Sequence, residues 1–328
     1  MKIGLLIKFG QEYIDRLKSE LQEHEIVEID ASNIENAKLA VKDLDVIIGA
    51  SVSKEILQSA ENLKLFQVPW VGLDRVDFEL LKNKNVLIAN SKWNDRIVAE
   101  YALTLLLTLI KHIVPVHNIF QTGSWNVRFI QSKQLTNETV LLIGFGSIGR
   151  EIAKMLKPFT SEVYALRNNP EKSTEEERNL VKRVIGWNEY LEIAQNASYV
   201  INSLPLTPNT ENILNKERIL GMKISSFFVN VGRGKTVDEQ ALFEALQSKH
   251  LAGAAIDVWY NYKGQNDTEP FFPSKFPFHE LENVIMSPHR AATFVDTPET
   301  VWNDAIFNIK ALAANNPLKN IIDYEKRY

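Results

Sequence analysis

Nothing in the chain narrows its possible folds as much as the stretch TVLLIGFGSIGREIAKML, residues 139–156. An apolar run reads as a strand, passes through Gly144, Gly146 and Gly149 at G-x-G-x-x-G spacing, and continues with the apolar spacing of a helix. The glycines alone are a weak signal, because glycine is common in turns; a strand before them and a helix after them make it strong. In that setting Gly144 permits the tight turn, Gly146 lets the backbone approach a pyrophosphate, and Gly149 lets the helix lie close to the strand. The helix N-terminus, with Ser147 and Ile148 in its first turn, then faces the anion. The competing reading is a strand-to-helix turn with no ligand.

The next strand should end, about 20 residues beyond the motif, in an acid that binds the adenosine ribose hydroxyls. Instead SEVYAL is followed by Arg167 and Asn168, and no acid lies at the strand end. An arginine suits a 2′-phosphate, which an aspartate would repel, so the expected cofactor is NADP in preference to NAD. A solvated surface arginine is the alternative.

A chain of 328 residues exceeds one ordinary core and fits two domains, since domains mostly run ~100–200 residues. Up to about residue 95, β-type runs (IGLLIK, DVIIGA, LKLFQV, VLIAN) alternate with helical patterns; a second series runs TVLLIGF, EVYAL, SYVINSL, SFFVNV, GAAIDV and NVIMSPH. Alternation of this kind predicts parallel sheets wrapped by helices. Between the two series, 95–115 reads as one long apolar helix followed by an irregular arm. The segment 296–316 carries a Thr-Pro start and an Asn-Asn-Pro stop, the punctuation of a helix, and is expected to pack back on the first unit. The expected fold class is therefore α/β with two doubly wound parallel-sheet domains. A Rossmann dinucleotide-binding domain (97–292) is inserted into a flavodoxin-like substrate domain (1–96 and 293–328). The charge run STEEERN reads as a solvated helix start.

Composition excludes several classes. The net charge of −4, with no basic block, argues against a nucleic-acid partner. With no cysteine, disulfides, thiolate chemistry and cysteine-held metals are excluded; no metal site is expected, and the composition fits a reducing cytoplasm. The amino terminus lacks the features of a signal peptide, and ALTLLLTLI (102–110) is far shorter than the ~20 residues of a membrane span, so both read as buried elements of a soluble, cytoplasmic protein.

Four further groups of residues, in order across almost the whole chain, carry a resemblance. They are PWVGLDRVDFELL (69–81), NSKWNDRIVAEYALTLLL (90–107), SLPLTPNTENILN (203–215) with FVNVGRGKTVDEQALFEAL (228–246), and AGAAIDVW (252–259) with NVIMSPHRAA (283–292). Together with the glycines they resemble the D-isomer-specific 2-hydroxyacid dehydrogenase family, in particular its glyoxylate and hydroxypyruvate reductases and phosphoglycerate dehydrogenases. The resemblance implies that Arg233 holds a substrate carboxylate and polarises the carbonyl, a role that suits a planar guanidinium with two charge-assisted bonds. It implies that His289 is the proton donor for reduction, since imidazole gives and takes a proton near neutral pH. It also implies that Asp257 faces the nicotinamide amide, and that Leu204, Pro205, Thr210, Val231 and Gly232 line the cofactor. Val71, Gly72 and Leu73 would offer backbone N–H groups to the substrate carboxylate from the other domain.

The chain also departs from that pattern. Tyr262 occupies the place of the family's glutamate that pairs with the histidine; the neighbouring segment carries an insertion, and Glu269, which begins a Glu-Pro pair, is the candidate acid. Trp93 stands where glycine is common, and Trp70 lies beside the substrate loop; both read as core or as an apolar wall of the cleft. The expected activity is hydride transfer between NAD(P)H and a 2-oxo acid to give a D-2-hydroxy acid, in a homodimer joined through 95–135. The rivals are a dinucleotide-sensing binding protein, like the corepressors of similar sequence, and hydride transfer from phosphite or formate.

Overall fold

The structure is a computed structural model and describes residues 1–263, 268–293 and 298–328. The chain divides into two compact units, Met1–Asn94 with Phe294–Tyr328, and Asp95–Thr293. In the first, five parallel strands are found among the described residues: β1 (Lys2–Leu5), β2 (Glu25–Glu28), β3 (Val46–Ile48), β4 (Leu65–Val68) and β5 (Leu87–Asn90). Their order, β2-β1-β3-β4-β5, is the flavodoxin-like one. The central strands β3 and β4 are buried along their whole length, as apolar runs in a parallel sheet covered on both faces must be. Trp302 is fully buried in this unit and donates its indole N–H to the Tyr13 carbonyl at 2.8 Å. The helix Asn303–Ala313 that follows is tied in by buried Asn308, whose amide donates to Gln67 Oε1 at 2.9 Å. Thr297, expected at the start of this helical segment, lies outside the described residues.

The second unit holds β6 (Val140–Ile143), β7 (Val163–Leu166), β8 (Arg183–Ile185), β9 (Tyr199–Asn202), β10 (Ser226–Asn230), β11 (Leu251–Ile256) and β12 (Val284–Met286). The order β12-β11-β10-β9-β6-β7-β8 is all parallel and reverses at β6, as in the Rossmann arrangement. Helix Asp95–Ile110 packs on β10, β11 and the helix Ser147–Leu156.

Three expectations need correction. Strands β2 and β8 were absent from the sequence-based series: both are short and lie at sheet edges, and β2 has no fully buried residue, so neither carries the apolar run of an interior strand. The apolar helix expected over 95–115 is two helices. It stops at Ile110, His112 adopts a left-handed backbone (φ 53°), and Ile113–Gln121 continues at a bend of 58°. The arm is therefore helical at its start. Among the described residues no single helix is long and apolar enough to cross a membrane.

Candidate active site

In the second unit the sequence-derived candidates lie just beyond the carboxyl ends of parallel strands, where open α/β sheets bind their ligands. Gly144 follows β6, Arg167 follows β7, Leu204 follows β9, Val231 and Arg233 follow β10, Asp257 follows β11 and His289 follows β12. The glycine loop has the shape its sequence requires. Gly144 has φ 97°, and a Cβ on Gly149 would lie 2.1 Å from the Gly144 carbonyl oxygen, which bears on backbone and leaves no room for any side chain. A Cβ on Gly146 would instead meet nothing within 4 Å. Gly146 caps the helix Ser147–Leu156, so an open cradle lies at a helix N-terminus, and the residues present fit a pyrophosphate.

Two buried asparagines that the sequence reading passed over shape the neighbouring loops. Asn202 and Asn230 end β9 and β10, and the Asn202 amide donates to Asn230 Oδ1 at 3.0 Å and to Thr236 Oγ1 at 2.9 Å. Their side-chain Oδ1 atoms accept from the Leu204 and Gly232 N–H groups respectively, each at 3.2 Å. Gly232 is pressed so closely on the next loop that a Cβ would fall 2.5 Å from the Leu204 carbonyl oxygen, while Ser203 Oγ donates to the Gly144 carbonyl at 3.0 Å. The loops after β6, β9 and β10 thus form one rim. Thr210 Oγ1 donates to the Pro205 carbonyl at 2.6 Å and closes the Leu204-Pro205 turn, so its hydroxyl serves the loop itself. The signal was present in the sequence: two apolar runs, YVIN and FFVN, each end in asparagine where a solvated end needs none.

The loop that carries Arg233 and the turn that carries His289 both meet Trp259, whose side chain is buried. A Cβ on Gly234 would lie 2.3 Å from the Trp259 carbonyl oxygen, so the loop carrying Arg233 rests directly on that backbone. On the other side the Trp259 indole donates to the Ser287 carbonyl at 2.8 Å, two residues before His289. The Arg233 carbonyl accepts from Thr236 Oγ1 at 2.7 Å, and its guanidinium donates to the Gly232 carbonyl at 2.8 Å. His289 is exposed and has φ 53°, a left-handed conformation that costs about 1 kcal/mol or more outside glycine. Its N–H donates to the Asp257 carbonyl at 2.8 Å.

Asp257 is completely buried, and its carboxylate accepts from Ser287 Oγ and from the N–H groups of Arg290 (2.9 Å) and Ala291 (3.0 Å). Tyr101 Oη and Ser287 Oγ are 2.8 Å apart and extend this network. The side chain expected to face a nicotinamide amide therefore also holds the turn that displays His289. The ring against His289 is that of Tyr262, with centroids 5.2 Å apart, and the Tyr262 hydroxyl accepts from the Trp259 N–H at 3.1 Å. Glu269 is exposed, and its backbone carbonyl accepts from Lys263 Nζ.

Asn168 is exposed, whereas Arg167 is engaged: it donates to Glu177 Oε2 at 2.9 Å and to Ser173 Oγ at 3.2 Å. Glu177 belongs to the charge run read as solvated. Its side chain is only 15% exposed, and it completes a capping box with Thr174 at the start of helix Glu175–Arg178. The Thr-x-x-Glu spacing could have revealed the cap, though not the arginine contacts.

In the first unit, the Val71-Gly72-Leu73 loop follows β4. The Asn90 amide donates to the Val71 carbonyl at 2.9 Å and the Trp93 indole donates to the Pro69 carbonyl at 2.7 Å. Both carbonyls are thereby held from one side. Trp93 and Trp70 pack partly buried against this unit's core.

A family profile for the NAD binding domain of D-isomer specific 2-hydroxyacid dehydrogenases matches residues 103–291, more than half of the chain. The chain belongs to the D-isomer specific 2-hydroxyacid dehydrogenase family. It is an oxidoreductase, and the chemistry of its family is hydride transfer between a nicotinamide cofactor and a 2-oxo or 2-hydroxy acid. A D-3-phosphoglycerate dehydrogenase of Methanocaldococcus jannaschii is 29% identical over 86% of the chain, which spans about half (52%) of that relative's length. A hydroxypyruvate reductase of Thermotoga maritima is 28% identical, with 88% of the chain and 92% of the relative covered. Among solved structures, an NAD-dependent formate dehydrogenase of Staphylococcus aureus in complex with NAD matches with a TM-score of 0.76 at 27% identity, covering 98% of this chain and 99% of that one.

Proposed function

We propose that the chain is an NADP-preferring reductase of 2-oxo acids that yields D-2-hydroxy acids. The observation that carries the reading is the Trp259 junction, which supports the Arg233 loop on one side and the His289 turn on the other. In this reading Arg233 grips the substrate carboxylate and polarises the carbonyl, and its fixed charge stabilises the oxyanion as it grows. The imidazolium of His289 donates the proton to that oxygen. Gly144, Gly146 and Gly149, with Ser147 and Ile148, hold the dinucleotide pyrophosphate, and the Leu204-Pro205 and Val231-Gly232 rim lines the remainder. The reduced nicotinamide supplies the hydride when bound. Glu269 is the acid assigned to His289, and Val71, Gly72 and Leu73 are assigned to the substrate carboxylate. Arg167 is assigned to the adenosine 2′-phosphate.

The working unit is a homodimer in the cytoplasm, where a chain without cysteine needs no disulfide. The helix Ile113–Gln121 has no buried residue, and Ile113, Phe120, Trp125 and Phe129 are all exposed, an apolar face that suits a second copy. The likeness to a formate dehydrogenase favours formate as the alternative hydride donor.

The test is turnover of a panel of 2-oxo acids with NADPH and NADH, and of formate with the oxidised cofactors. Wild type should reduce at least one oxo acid. Arg233→Ala and His289→Ala should each retain NADPH binding while losing ~10²-fold or more in rate, and Arg167→Asp should reverse a preference for NADPH of about tenfold to a hundredfold. Full activity in both alanine variants would overturn the assigned site. Equal use of NADPH and NADH by wild type would overturn the role of Arg167.

A further inference from the structure

The carboxylate of Glu177 is shared by two guanidinium groups from different elements. Arg150, in the helix that begins after the glycine loop, donates to Oε1 at 2.8 Å; Arg167, beyond β7, donates to Oε2 at 2.9 Å. Oε2 also accepts from the Thr174 N–H at 3.1 Å. Burial opposes ionisation of Glu177, but the Thr174 N–H and the two arginines outweigh it and hold the carboxyl below its ordinary value. Two guanidinium groups thus converge on one carboxylate of the same unit, and that carboxylate occupies the donors of Arg167 that a phosphate would take.

We infer that Glu177 is a cofactor-specificity determinant, a built-in competitor that holds the Arg167 guanidinium against the adenosine 2′-phosphate and so weakens the preference for NADP. The inference rests on the assignment of Arg167 to that phosphate. Binding the 2′-phosphate draws Arg167 off Glu177, while Arg150 keeps the displaced carboxylate paired. Arg150 thus acts through Glu177 as a positioning residue: without it, Glu177 would hold Arg167 alone and more strongly. Neither residue bears on a cofactor that lacks the phosphate.

The test is calorimetric binding of 2′,5′-ADP and 5′-ADP to the intact chain. Glu177→Gln keeps the shape of the side chain and removes its charge; it should tighten 2′,5′-ADP about 3- to 30-fold, the scale of one charge-assisted bond in competition, and leave 5′-ADP unchanged. Arg150→Gln should weaken 2′,5′-ADP by a similar factor in the wild-type background and have no effect in the Glu177→Gln background. Unchanged or weaker 2′,5′-ADP binding in Glu177→Gln would overturn the inference. Arg167→Asp separates the two failures. If it leaves 2′,5′-ADP binding intact, the phosphate assignment falls and the inference falls with it; if it abolishes that binding while Glu177→Gln changes nothing, only the competition is wrong.

Discussion

Replacing Asp257 by asparagine tests whether this buried carboxylate supports the His289 turn. Asp257 accepts from three donors, Ser287 Oγ and Arg290 N–H on Oδ1 and Ala291 N–H on Oδ2. Asparagine has the same shape but one acceptor oxygen. With that oxygen toward Ser287 and Arg290, its NH2 group meets the Ala291 N–H, leaving one donor unpaired in a site with no exposure. An unpaired buried donor costs ~1–3 kcal/mol, and the two surviving bonds lose their charge assistance, roughly halving them. With charge-assisted bonds of ~1.5–3 kcal/mol each, the sum is about 2.5–6 kcal/mol, which for a unit of this size lowers the melting temperature by about 5–24 °C. The loss falls on a turn that already holds His289 at φ 53°. Oxo-acid turnover should therefore drop at least tenfold, and the Arg290 and Ala291 amides should exchange hydrogen faster. Thermal unfolding, kcat and residue-level amide exchange are the measurements. An Asp257→Asn protein with wild-type melting and wild-type exchange at 290–291 would refute the account, even if turnover fell, because the carboxylate would then act only on the nicotinamide.

Three further outcomes are expected. Gly149→Ala should abolish tight NADPH binding and cost about 1–3 kcal/mol, because its Cβ would stand 2.1 Å from the Gly144 carbonyl oxygen; titration of NADPH beside a melting curve checks both, and wild-type affinity would contradict the packing. Glu269→Gln should move the alkaline limit of reduction to lower pH, since a nearby carboxylate favours the imidazolium that donates the proton, whereas Tyr262→Phe should chiefly alter the rate; an unmoved pH profile in Glu269→Gln would remove Glu269 from the site. Burial, then the Glu138 charge, pushes the Tyr199 hydroxyl up to about 12, and burial drives Tyr190 higher still. These phenols stabilise the fold fully below pH ~10, where the unfolded chain begins to ionise them, and lose that contribution as pH rises toward 12. Tyr199→Phe should accordingly show a shallower fall in melting temperature between pH 9 and 11.5.

How much of this was legible in the sequence follows from where each constraint acts. Gly144 and Gly149 could be read because their requirement is local: a left-handed backbone at one, a contact across five residues at the other. Interior strands could be read because burial on both faces demands an unbroken apolar run, as in VLLI and LFQV, where Gln67 breaks the pattern and is answered by buried Asn308. Edge strands β2 and β8 escape for the converse reason, since half of their surface tolerates glutamate and arginine. The arginine beyond β7 was legible as a charge, but its partner was not. Glu177 lies ten residues beyond Arg167 and 27 beyond Arg150, and only folding brings the end of a strand, the first turns of one helix and the cap of another to a single carboxylate. The same holds for Asp257 and the donors of 287–291, some thirty residues apart in sequence. Polar contacts of this kind carry no periodicity, so a hydrophobic pattern cannot reveal them. They hold the arginine at the strand end and the turn that carries the histidine after β12, so these two side chains are placed by residues that their own stretches of sequence do not contain.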